Sequence, residues 1–510
     1  MNIRMLKQQL WEKFNIDSFR SGQAEIISDA MDGNDVLGIL PTGSGKSLCY
    51  QLPATLTGGV TIVVSPLISL MEDQVKQLKA AGIKSAVALN SFMNPLEKKR
   101  VFRELNHYQL IYVSPELLQQ NEIIHRLQQM HVKLFVVDEA HCISQWGHEF
   151  RPDYLRLEEV LKALNHPVVM ALSATATPEV QRDIARSLGR PDMKKHIYPM
   201  DRDNITFAVK EVTGDKEKLE IIVRLLKRYR VPALIYFSSK RKTEETAAYL
   251  SEQVPSHRIA FYHGDMDQMD RITIQQQFMN DQIDVICCTS AFGMGINKHN
   301  IRLILHYHFP LQIESFIQEI GRAGRDGKSS VSLLLYSPAD KAIPNSIIEN
   351  ELPEEGELQT IAGKLQQLSE LPPTEELLPM LELNEIQWRF LHYQMESHGM
   401  IEDNRIVHRH GRWEQALQEI SSLISRRSAL KNRKLYEIVS WIQEDNCLRE
   451  SLYKGFQKTF NPPLYECCSN CGFSFKNWEP EQTGGEFPAL SWDAKLKNIF
   501  FAGGQHAETE

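Results

Sequence analysis

Two successive series of short apolar runs, each run followed by a helix-compatible stretch, constrain the fold of this chain more than any other feature. Most of the runs are β-branched and continuous, as in strands that are covered on both faces. Strands that alternate with helices form right-handed βαβ units around a parallel sheet. The sequence therefore predicts two α/β lobes. The runs of the first lobe are residues 36–40, 61–64, 110–113, 134–137 and 168–172, and those of the second are 233–237, 259–262, 285–288, 303–307 and 331–336.

The pattern changes after about residue 340, where Leu, Gln and Glu dominate and strand signals are few. Residues 384–399 are typical of one amphipathic helix, and residues 400–407 of a hairpin, which together suggest a small winged-helix-like unit. The chain past Cys471 is polar and turn-rich, so we expect a loosely ordered tail. A length of 510 residues suits roughly three domains. The predicted division is lobe 1 at 1–203, lobe 2 at 204–340, a helical accessory region at 341–476 and a tail at 477–510.

Composition excludes several classes of protein. With 42% hydrophobic and 24% charged residues, the chain is neither disordered nor fibrous. Its formal net charge of −8 means that any nucleic-acid surface must be a local basic patch. The sequence has no apolar run near the roughly 18 residues that a membrane span needs, so we expect no membrane association. Eight cysteines in 510 residues do not form a disulfide scaffold, which favours a reducing cytoplasm.

A glycine-rich loop after the first apolar run predicts a phosphate site. The run at 36–40 leads into Pro-Thr-Gly-Ser-Gly-Lys-Ser at residues 41–47, and a helix-compatible stretch follows. Gly43 and Gly45 allow backbone N–H groups to approach phosphate oxygens at the start of a helix. Lys46 supplies a positive charge for the β and γ phosphates. The alternative is a glycine-rich turn with a surface lysine.

Two adjacent carboxylates predict the hydrolytic centre. Asp138 and Glu139 follow the apolar run 134–137, at the end of the strand where α/β sheets bind ligands. We expect Asp138 and the hydroxyl of Ser47 to hold Mg²⁺, and Glu139 to act as the base that polarises the attacking water. The alternative is that the two acids stabilise a helix N-terminus.

Two arginines near the end of the second series suggest a further part of the site. Arg322 and Arg325 stand in Gln-Glu-Ile-Gly-Arg-Ala-Gly-Arg-Asp-Gly at residues 318–327. Their spacing predicts that both lie on one helical face and reach an anionic ligand. Because the second lobe supplies them, hydrolysis would depend on closure of the lobes. The alternative is a solvated basic helix end.

These motifs, with Phe-Arg-Ser-Gly-Gln at residues 19–23 and Ser-Ala-Thr at residues 173–175, resemble those of superfamily-two helicases. The resemblance is specifically to the RecQ family of DNA helicases, over roughly residues 10–340. It implies two RecA-like lobes and an ATP site in which Gln23 reads the edge of the base. The implied nucleotide contacts also include Arg20, Thr42, Gly43, Ser44, Gly45, Lys46, Ser47 and Gly295. The implied DNA-binding or coupling residues are Ser65, Ser114, Trp146, Phe150, Arg151, Thr175 and Thr289.

The most specific part of the resemblance is residues 142–154, Cys-Ile-Ser-Gln-Trp-Gly-His-Glu-Phe-Arg-Pro-Asp-Tyr. This stretch follows Glu139 closely and resembles the aromatic-rich loop of RecQ proteins. Trp146 and Phe150 would stack on unpaired bases, and Arg151 would contact phosphate. The alternative is that both aromatic side chains belong to the core of lobe 1.

The sequence departs from the family pattern at several positions. Ile16 stands near the position where the family has an aromatic residue that stacks on adenine. The family's four-cysteine zinc segment is matched by Cys447, Cys468 and Cys471, but Ser474 stands at the expected fourth position. An extra cysteine at 467 is adjacent to Cys468, and we expect two adjacent ligands to strain one tetrahedral site. Zinc binding and a metal-free remnant both stay open. The 39 residues after Cys471 suggest a short form without the usual C-terminal domains.

A basic segment in the accessory region is a further candidate for DNA contact. Residues 421–435 contain basic residues and no acidic ones. Such a helix can form a phosphate-contacting face. The alternative is a face balanced by acids from elsewhere in the chain. The basic residues are Arg426, Arg427, Lys431, Arg433 and Lys434.

The resulting prediction is an ATP-dependent DNA helicase that uses Mg²⁺ and translocates on single-stranded DNA to unwind a duplex. The resemblance implies movement from 3′ to 5′ and a role in repair or recombination, with single-stranded and partly duplex DNA and repair or recombination proteins as partners. A cytoplasmic or nucleoid-associated location follows. Two alternatives stay open: a DNA-stimulated translocase with little unwinding, and a nucleotide-gated DNA-binding module. The intact Lys46, Glu139, Arg322 and Arg325 argue against the second alternative.

Overall fold

Two parallel β-sheets with flanking helices and a helical C-terminal region make up the computed structural model. The structure describes residues 3–90, 93–144, 151–293, 298–354, 356–408, 412–457, 460 and 462–482. The predicted fold class, two RecA-like parallel-sheet lobes followed by a mostly helical region, is confirmed.

In lobe 1, seven of the described strands form a parallel sheet in the order β3-β4-β2-β5-β6-β1-β7. The strands are β1 (Val36–Ile39), β2 (Val60–Val64), β3 (Ala86–Leu89), β4 (Leu110–Val113), β5 (Val132–Val137), β6 (Val168–Ser173) and β7 (Lys194–Ile197). The helices are α1 (Ile3–Phe14), α2 (Gln23–Met31), α3 (Leu48–Leu56), α4 (Ile68–Ala80), α5 (Pro95–Arg103), α6 (Asn121–Gln128), α7 (Leu157–Ala163) and α8 (Pro178–Ser187). All five predicted strands are present. Sequence reasoning missed β3 and β7, which lie at the two edges of the sheet.

In lobe 2, six of the described strands form a second parallel sheet in the order β10-β11-β9-β12-β13-β8. The strands are β8 (Ile205–Glu211), β9 (Ala233–Tyr236), β10 (Ile259–Tyr262), β11 (Val285–Cys288), β12 (Leu303–His306) and β13 (Ser330–Tyr336). The helices are α9 (Asp215–Arg228), α10 (Lys240–Gln253), α11 (Gln268–Met279) and α12 (Ile313–Ile320). The five predicted strands are again present, and the missed strand, β8, forms an edge. Residues 198–204, between β7 and β8, link the two lobes.

The strand order of lobe 1 determines where the polar loops meet. The order places β6 between β5 and β1, so the residues that follow these three strands lie side by side at the carboxyl edge of the sheet. Parallel open sheets bind ligands at this edge. The strands themselves are almost fully buried, because their continuous apolar sequence is covered by helices on both faces.

The accessory region begins with helices and contains one small antiparallel hairpin. Its elements are α13 (Ala342–Glu349), α14 (Glu357–Leu365), α15 (Thr374–Leu381), α16 (Glu385–Ser397), β14 (Ile401–Glu402), β15 (Arg405–Ile406), α17 (Arg412–Ile442) and α18 (Leu448–Tyr453). The predicted helix and hairpin of residues 384–407 are confirmed. Asn384 accepts hydrogen bonds from the first turn of α16, and Asp403 and Asn404 have positive φ angles in the hairpin turn.

The segment after Cys471 packs on lobe 2, which corrects the expectation of a loosely ordered tail as far as residue 482. Trp478 is 5% exposed and its ring centre lies 4.8 Å from that of Tyr229. Its indole Nε1 donates to Ser329 Oγ at 3.2 Å, and the hydroxyl of Tyr229 donates to the carbonyl of Phe475. Three aromatic side chains placed close together in sequence (Phe473, Phe475 and Trp478) therefore dock this segment.

The free edge of strand β8 is covered by a segment that comes about half a chain later. The backbone N–H of Phe207 donates to the carbonyl of Cys467 at 3.2 Å, and Phe207 and Cys468 form a parallel bridge. Thr206 Oγ1 donates to the carbonyl of Glu466 at 2.6 Å.

In the described part of the chain, no helix is both long enough and apolar enough to span a membrane.

Candidate active site

The phosphate loop, residues 41–47, follows β1 and leads into α3. Gly43 and Gly45 have φ angles of +81° and +77°, a conformation that favours glycine. The backbone N–H of Leu48 donates to the carbonyl of Gly45 at 3.1 Å, so the loop closes directly onto the first turn of the helix. This is the strand, loop and helix N-terminus that the sequence predicted.

Gln23 and Arg20 donate hydrogen bonds to carbonyl groups of the phosphate loop. The side-chain Nε2 of Gln23 donates to the carbonyls of Ser44 and Gly45 at 2.9 and 3.0 Å, and its Oε1 accepts from the backbone N–H of Arg20 at 2.9 Å. Arg20 Nη1 donates to the carbonyl of Gly43 at 2.5 Å. Gln23 is 2% exposed, and its amide is engaged by the loop itself in this structure.

The two predicted carboxylates follow β5. Asp138 is buried, and its Oδ1 accepts from the backbone N–H of Glu139 at 3.0 Å. Burial raises the pKa of Asp138 to about 7; the charge of Glu139 adds to this effect and that of Lys46 opposes it. Glu139 has a φ of 47°, so the chain turns sharply at the end of the strand. A nearby cation would favour the ionised form of this carboxyl.

A chain of polar contacts that we did not predict connects Glu139 to the end of β6. His141 is fully buried, with its Nδ1 at 3.4 Å from Glu139 Oε2 and at 2.9 Å from Ser173 Oγ. The backbone N–H of Thr175 donates to the same Ser173 Oγ at 3.3 Å. The predicted coupling residue Thr175 is therefore three contacts away from the predicted base, with His141 and Ser173 between them. The sequence signal was the histidine two positions after Glu139, to which we gave no role.

Arg322 and Arg325 reach the cleft from lobe 2, but they do not lie on a helix. Helix α12 ends at Ile320, and both arginines lie in the turns that follow. The helical-face expectation was therefore wrong, because Gly321 ends the helix and Gly324 adopts a positive φ of +52°. We call residues 321–327 the arginine loop.

The arginines are buried close to one another. Arg322 is 4% exposed, and its Nη1 donates to the carbonyl of Gly293. The side chain of Arg325 lies against the phosphate loop, since a Cβ on Gly43 would be 3.1 Å from Arg325 Cγ. Burial, together with the positive charges of Arg322, Arg202 and Arg20, lowers the pKa of Arg325 to about 9. This concentration of positive charge favours a polyanion in the cleft.

The two lobes enclose a cleft of about 470 Å³. From lobe 1 it is lined by Arg20, Gln23, Thr42, Gly43, Gly45, Lys46, Ser47, Asp138 and Glu139, and from lobe 2 by Gly293, His299, Gln318, Arg322 and Arg325. Phe14 and Ile16 line one end, where an aromatic residue was expected at position 16. Ser44 Oγ is buried beneath the loop, and Gly295 lies outside the described residues.

The predicted DNA-contact residues differ in accessibility. Ser65, Ser114 and Thr175 are 1%, 2% and 1% exposed, so their side chains do not face solvent in this structure, whereas Thr289 is half-buried. Arg151 is also half-buried, and its Nη1 lies 3.6 Å from Glu116 Oε1. Trp146 and Phe150 lie outside the described residues. The assignment of these residues to DNA stays a prediction.

Four cysteines gather in the accessory region. The Sγ atoms of Cys447, Cys467, Cys468 and Cys471 all lie within 4.8 Å of one another. Cys467, the extra cysteine, therefore belongs to the cluster. Ser474 does not take its place, since Ser474 Oγ accepts a hydrogen bond from the backbone N–H of Lys476. The expected strain between adjacent ligands does not prevent the cluster, because Cys467 meets Cys447 at 3.5 Å while Cys468 forms a tight turn with Cys471. Four thiols at this spacing fit a tetrahedral zinc site.

The basic segment of α17 packs against helix α12 of lobe 2 and against other parts of the accessory region. Lys431 pairs with Glu351, and Lys434 pairs with Glu314. Arg427 is 8% exposed and its guanidinium lies 5.4 Å from the ring centre of Phe390. The expectation of a phosphate-contacting face was therefore wrong for these three residues, since acids and an aromatic ring distant in sequence surround them.

Comparison with known sequences places both lobes in one class of protein. Residues 20–184 match the family model for DEAD/DEAH box helicases, and residues 217–327 match that for the helicase conserved C-terminal domain. The chain is 39% identical over 500 residues to a probable ATP-dependent DNA helicase RecS of Bacillus subtilis, covering 97% of this chain and 98% of that protein. It is 42% identical over 372 residues to the ATP-dependent DNA helicase RecQ of the same species, covering 72% of this chain and 61% of that protein.

Solved structures share the fold at low sequence identity. The Mycobacterium smegmatis helicase Lhr, bound to single-stranded DNA and AMP-PNP, has a TM-score of 0.57 at 19% identity, covering 81% of this chain and 61% of that chain. The DEAD-box helicase Mss116, bound to single-stranded RNA and UDP-BeF, has a TM-score of 0.56 at 17% identity, covering 84% of this chain and 89% of that chain.

Proposed function

Because this chain belongs to the RecQ family of ATP-dependent DNA helicases, we propose that it unwinds duplex DNA by ATP-driven translocation along one strand in the 3′ to 5′ direction. The observation that carries the proposal is the cleft between the lobes. It brings Lys46 and Glu139 of lobe 1 together with Arg322 and Arg325 of lobe 2. Hydrolysis at such a site depends on the relative position of the lobes, so each turnover is tied to a movement.

The residues of the cleft fit a nucleoside triphosphate with Mg²⁺. The clustered arginines and Lys46 suit the phosphates, and Phe14 and Ile16 provide an apolar end for the base. Ser47 and Asp138 would hold the Mg²⁺, which neutralises phosphate charge when bound. Burial raises the pKa of Asp138, and a bound dication would shift it back towards the ionised carboxylate.

In this proposal, Glu139 accepts a proton from the attacking water, and Arg322 and Arg325 stabilise the charge that develops on the transferred phosphoryl group. His141 connects Glu139 with Ser173 and Thr175. We propose that this chain of contacts transmits a shift at the end of β6 to the base.

The aromatic-rich loop is the proposed sensor of DNA. The end of this loop is held close to the carboxylates: the backbone N–H of Arg151 donates to the carbonyl of Cys142 at 3.0 Å, and the hydroxyl of Tyr154 donates to the carbonyl of Asp138 at 3.2 Å. Stacking of Trp146 and Phe150 on bases would therefore act close to the site. Trp146→Ala should retain ATP binding and thermal stability but lose most DNA stimulation of hydrolysis.

The cysteine cluster is the proposed zinc site. Four thiolates close a structural zinc site, which would join α18 to residues 467–471. Elemental analysis should give close to one zinc per chain, and Cys471→Ser should lower both the zinc content and the melting temperature. A folded, metal-free wild-type protein would contradict the assignment.

We propose single-stranded and partly duplex DNA as the substrate, repair or recombination as the setting with proteins of those pathways as partners, and the cytoplasm or nucleoid as the location.

The decisive experiment combines hydrolysis with strand displacement. Lys46→Ala should abolish ATP hydrolysis while DNA binding and folding persist, and Lys79→Ala, an exposed lysine on α4, serves as the control. Wild-type protein should displace strands from 3′-tailed duplexes and forks but not from 5′-tailed or blunt duplexes. ATP-driven movement without displacement would favour the translocase alternative, and DNA binding without turnover would favour the nucleotide-gated module.

A further inference from the structure

The linker between the two lobes is held by an arginine that is distant in sequence. Arg449 lies on α18, two residues after Cys447, and is 1% exposed. Its Nη1 donates to Asp201 Oδ1 at 2.5 Å and to the carbonyl of Arg202 at 3.1 Å, and its Nη2 donates to the carbonyl of Ile205. A buried arginine with this many acceptors fixes the backbone that it contacts.

A second side chain from the same region holds the start of the linker. Gln457 Oε1 accepts from the backbone N–H groups of Met200 and Asp201 at 2.9 and 3.2 Å. Arg449 and Gln457 both lie in the sequence between Cys447 and Cys467. The accessory region thus sets the conformation of the linker directly.

Within the linker, Arg202 contacts both loops of the active site. Its Nη1 lies 3.4 Å from the carbonyl of Thr42 in the phosphate loop and 3.4 Å from the carbonyl of Gly321 in the arginine loop. Its Nη2 donates to the carbonyl of Gly324 and, at 3.2 Å, to Asn204 Oδ1. One guanidinium therefore joins the two loops that lobe closure must bring together.

The surrounding geometry leaves little freedom for these loops to shift. A Cβ on Gly321 would be 2.7 Å from Thr42 Cβ. Asn204 Nδ2 donates to the carbonyls of Gly324 and Lys328 at 2.8 Å each, which ties the linker to the far end of the arginine loop as well. The planar, multi-donor guanidinium suits this role, because a lysine cannot serve several carbonyls in a fixed plane.

We propose that Arg202 is a positioning residue for ATP hydrolysis, which fixes the arginine loop against the phosphate loop, and that Arg449 holds Arg202 in place. Arg202 acts through Arg322 and Arg325. The inference rests on the proposed function of the cleft, and it gives the accessory region a role in the rate of hydrolysis that is separate from DNA binding.

The test compares Arg202→Gln with Arg190→Gln in the full chain. Arg190 is a matched control, because it is a partly buried arginine paired with Asp35 at 3.0 Å in lobe 1, outside the cleft. We expect Arg202→Gln to lower kcat by about 10²-fold, as for displaced catalytic groups, with little change in KM or in affinity for a fluorescent ATP analogue. Arg190→Gln should retain the wild-type kcat, even if it changes the melting temperature.

The outcomes separate this inference from the proposed function. A wild-type protein without ATPase activity contradicts the proposed function, whereas active wild type with an equally active Arg202→Gln variant overturns the positioning role. A loss of kcat in both arginine variants that follows their loss of stability overturns it as well.

The contribution of Arg449 is tested by a double variant. If Arg449 acts through Arg202, Arg449→Lys should lower kcat, and the Arg202→Gln/Arg449→Lys pair should be no slower than Arg202→Gln alone. If the double variant instead loses kcat by the product of the two single losses, Arg449 acts independently of Arg202. Should Arg449→Lys fail to fold, Gln457→Ala takes its place in the same comparison.

Discussion

Gly321→Ala offers a direct test of how closely the two lobes must approach. Gly321 has a φ of −60°, so alanine fits its backbone without strain. The added Cβ would lie 2.7 Å from Thr42 Cβ and 3.0 Å from Thr42 Oγ1, where ordinary contacts are 3.4–4 Å. The arginine loop and the phosphate loop must therefore separate by about 1 Å to accommodate one methyl group.

A displacement of this size is large for catalysis and small for stability. Misplacement of catalytic groups by about 1 Å costs about 10²-fold in rate, which corresponds to about 2.7 kcal/mol in the activation free energy. The substitution should change the free energy of unfolding by less, since replacing glycine at a compatible φ stabilises by about 0.4–1 kcal/mol and offsets part of the clash. We therefore expect kcat to fall about 10²-fold, with nucleotide affinity nearly retained.

Steady-state ATPase kinetics, binding of a fluorescent ATP analogue and thermal unfolding together provide the assay. Gly363→Ala is the matched control, because Gly363 lies in α14 and a Cβ added there would meet no atom of the described residues within 4 Å. It should leave kcat unchanged and raise the melting temperature slightly. A Gly321→Ala protein with wild-type kcat would refute the reasoning, since it would show that hydrolysis tolerates separated loops.

Two further predictions concern stability. Because Asp138 keeps its proton up to about pH 7 in the folded, nucleotide-free protein but loses it near pH 4 when unfolded, the free energy of unfolding should fall as pH rises from 4 to 7, by at most about 1.4 kcal/mol per pH unit. Urea unfolding should show a shallower slope for Asp138→Asn, and identical slopes would contradict the raised pKa. Trp478→Ala removes a buried indole from lobe 2 and should cost about 3–5 kcal/mol. Denaturant midpoints equal to those of the wild type would mean that residues 472–482 are not docked.

The central strands of both sheets were predictable, and so was the edge strand β10, but the other three edge strands, β3, β7 and β8, were missed. The central strands are continuous apolar runs, because helices cover both of their faces. Strand β7 reads Lys-Lys-His-Ile and is largely exposed, so it carries no hydrophobic signal, and its backbone pairing with β1 alone makes it a strand. Strand β8 reads Ile-Thr-Phe-Ala-Val-Lys-Glu, and we missed it although its first four residues are buried; its partner β13 comes more than a hundred residues later.

In the candidate site, too, some features were predictable from the sequence and others were not. The phosphate loop and the carboxylates are local in sequence, and their chemistry follows from residue type and spacing. Contacts between distant segments gave no such signal: Lys434 meets Glu314, and Cys467 meets Cys447, only because the chain folds back. The three-residue spacing of Arg322 and Arg325 also misled us. It predicted that both lie on a helix, but Gly321 ends that helix just before Arg322.

The covering of strand β8 also bears on how the protein is made. Residues 466–468, which pair with Thr206 and Phe207, leave the ribosome only after the whole of lobe 2 and most of the accessory region. Lobe 1 can fold as it emerges. The edge of lobe 2 exists once β13, which ends at Tyr336, has paired with β8, and it then stays open until residue 466 is made, about 130 residues later, at a time when unpaired strand edges invite association with other chains. Closure of this edge is a late event in biogenesis. Ribosome-bound chains that stop before residue 466 should accordingly be the species that engage chaperones and aggregate most readily.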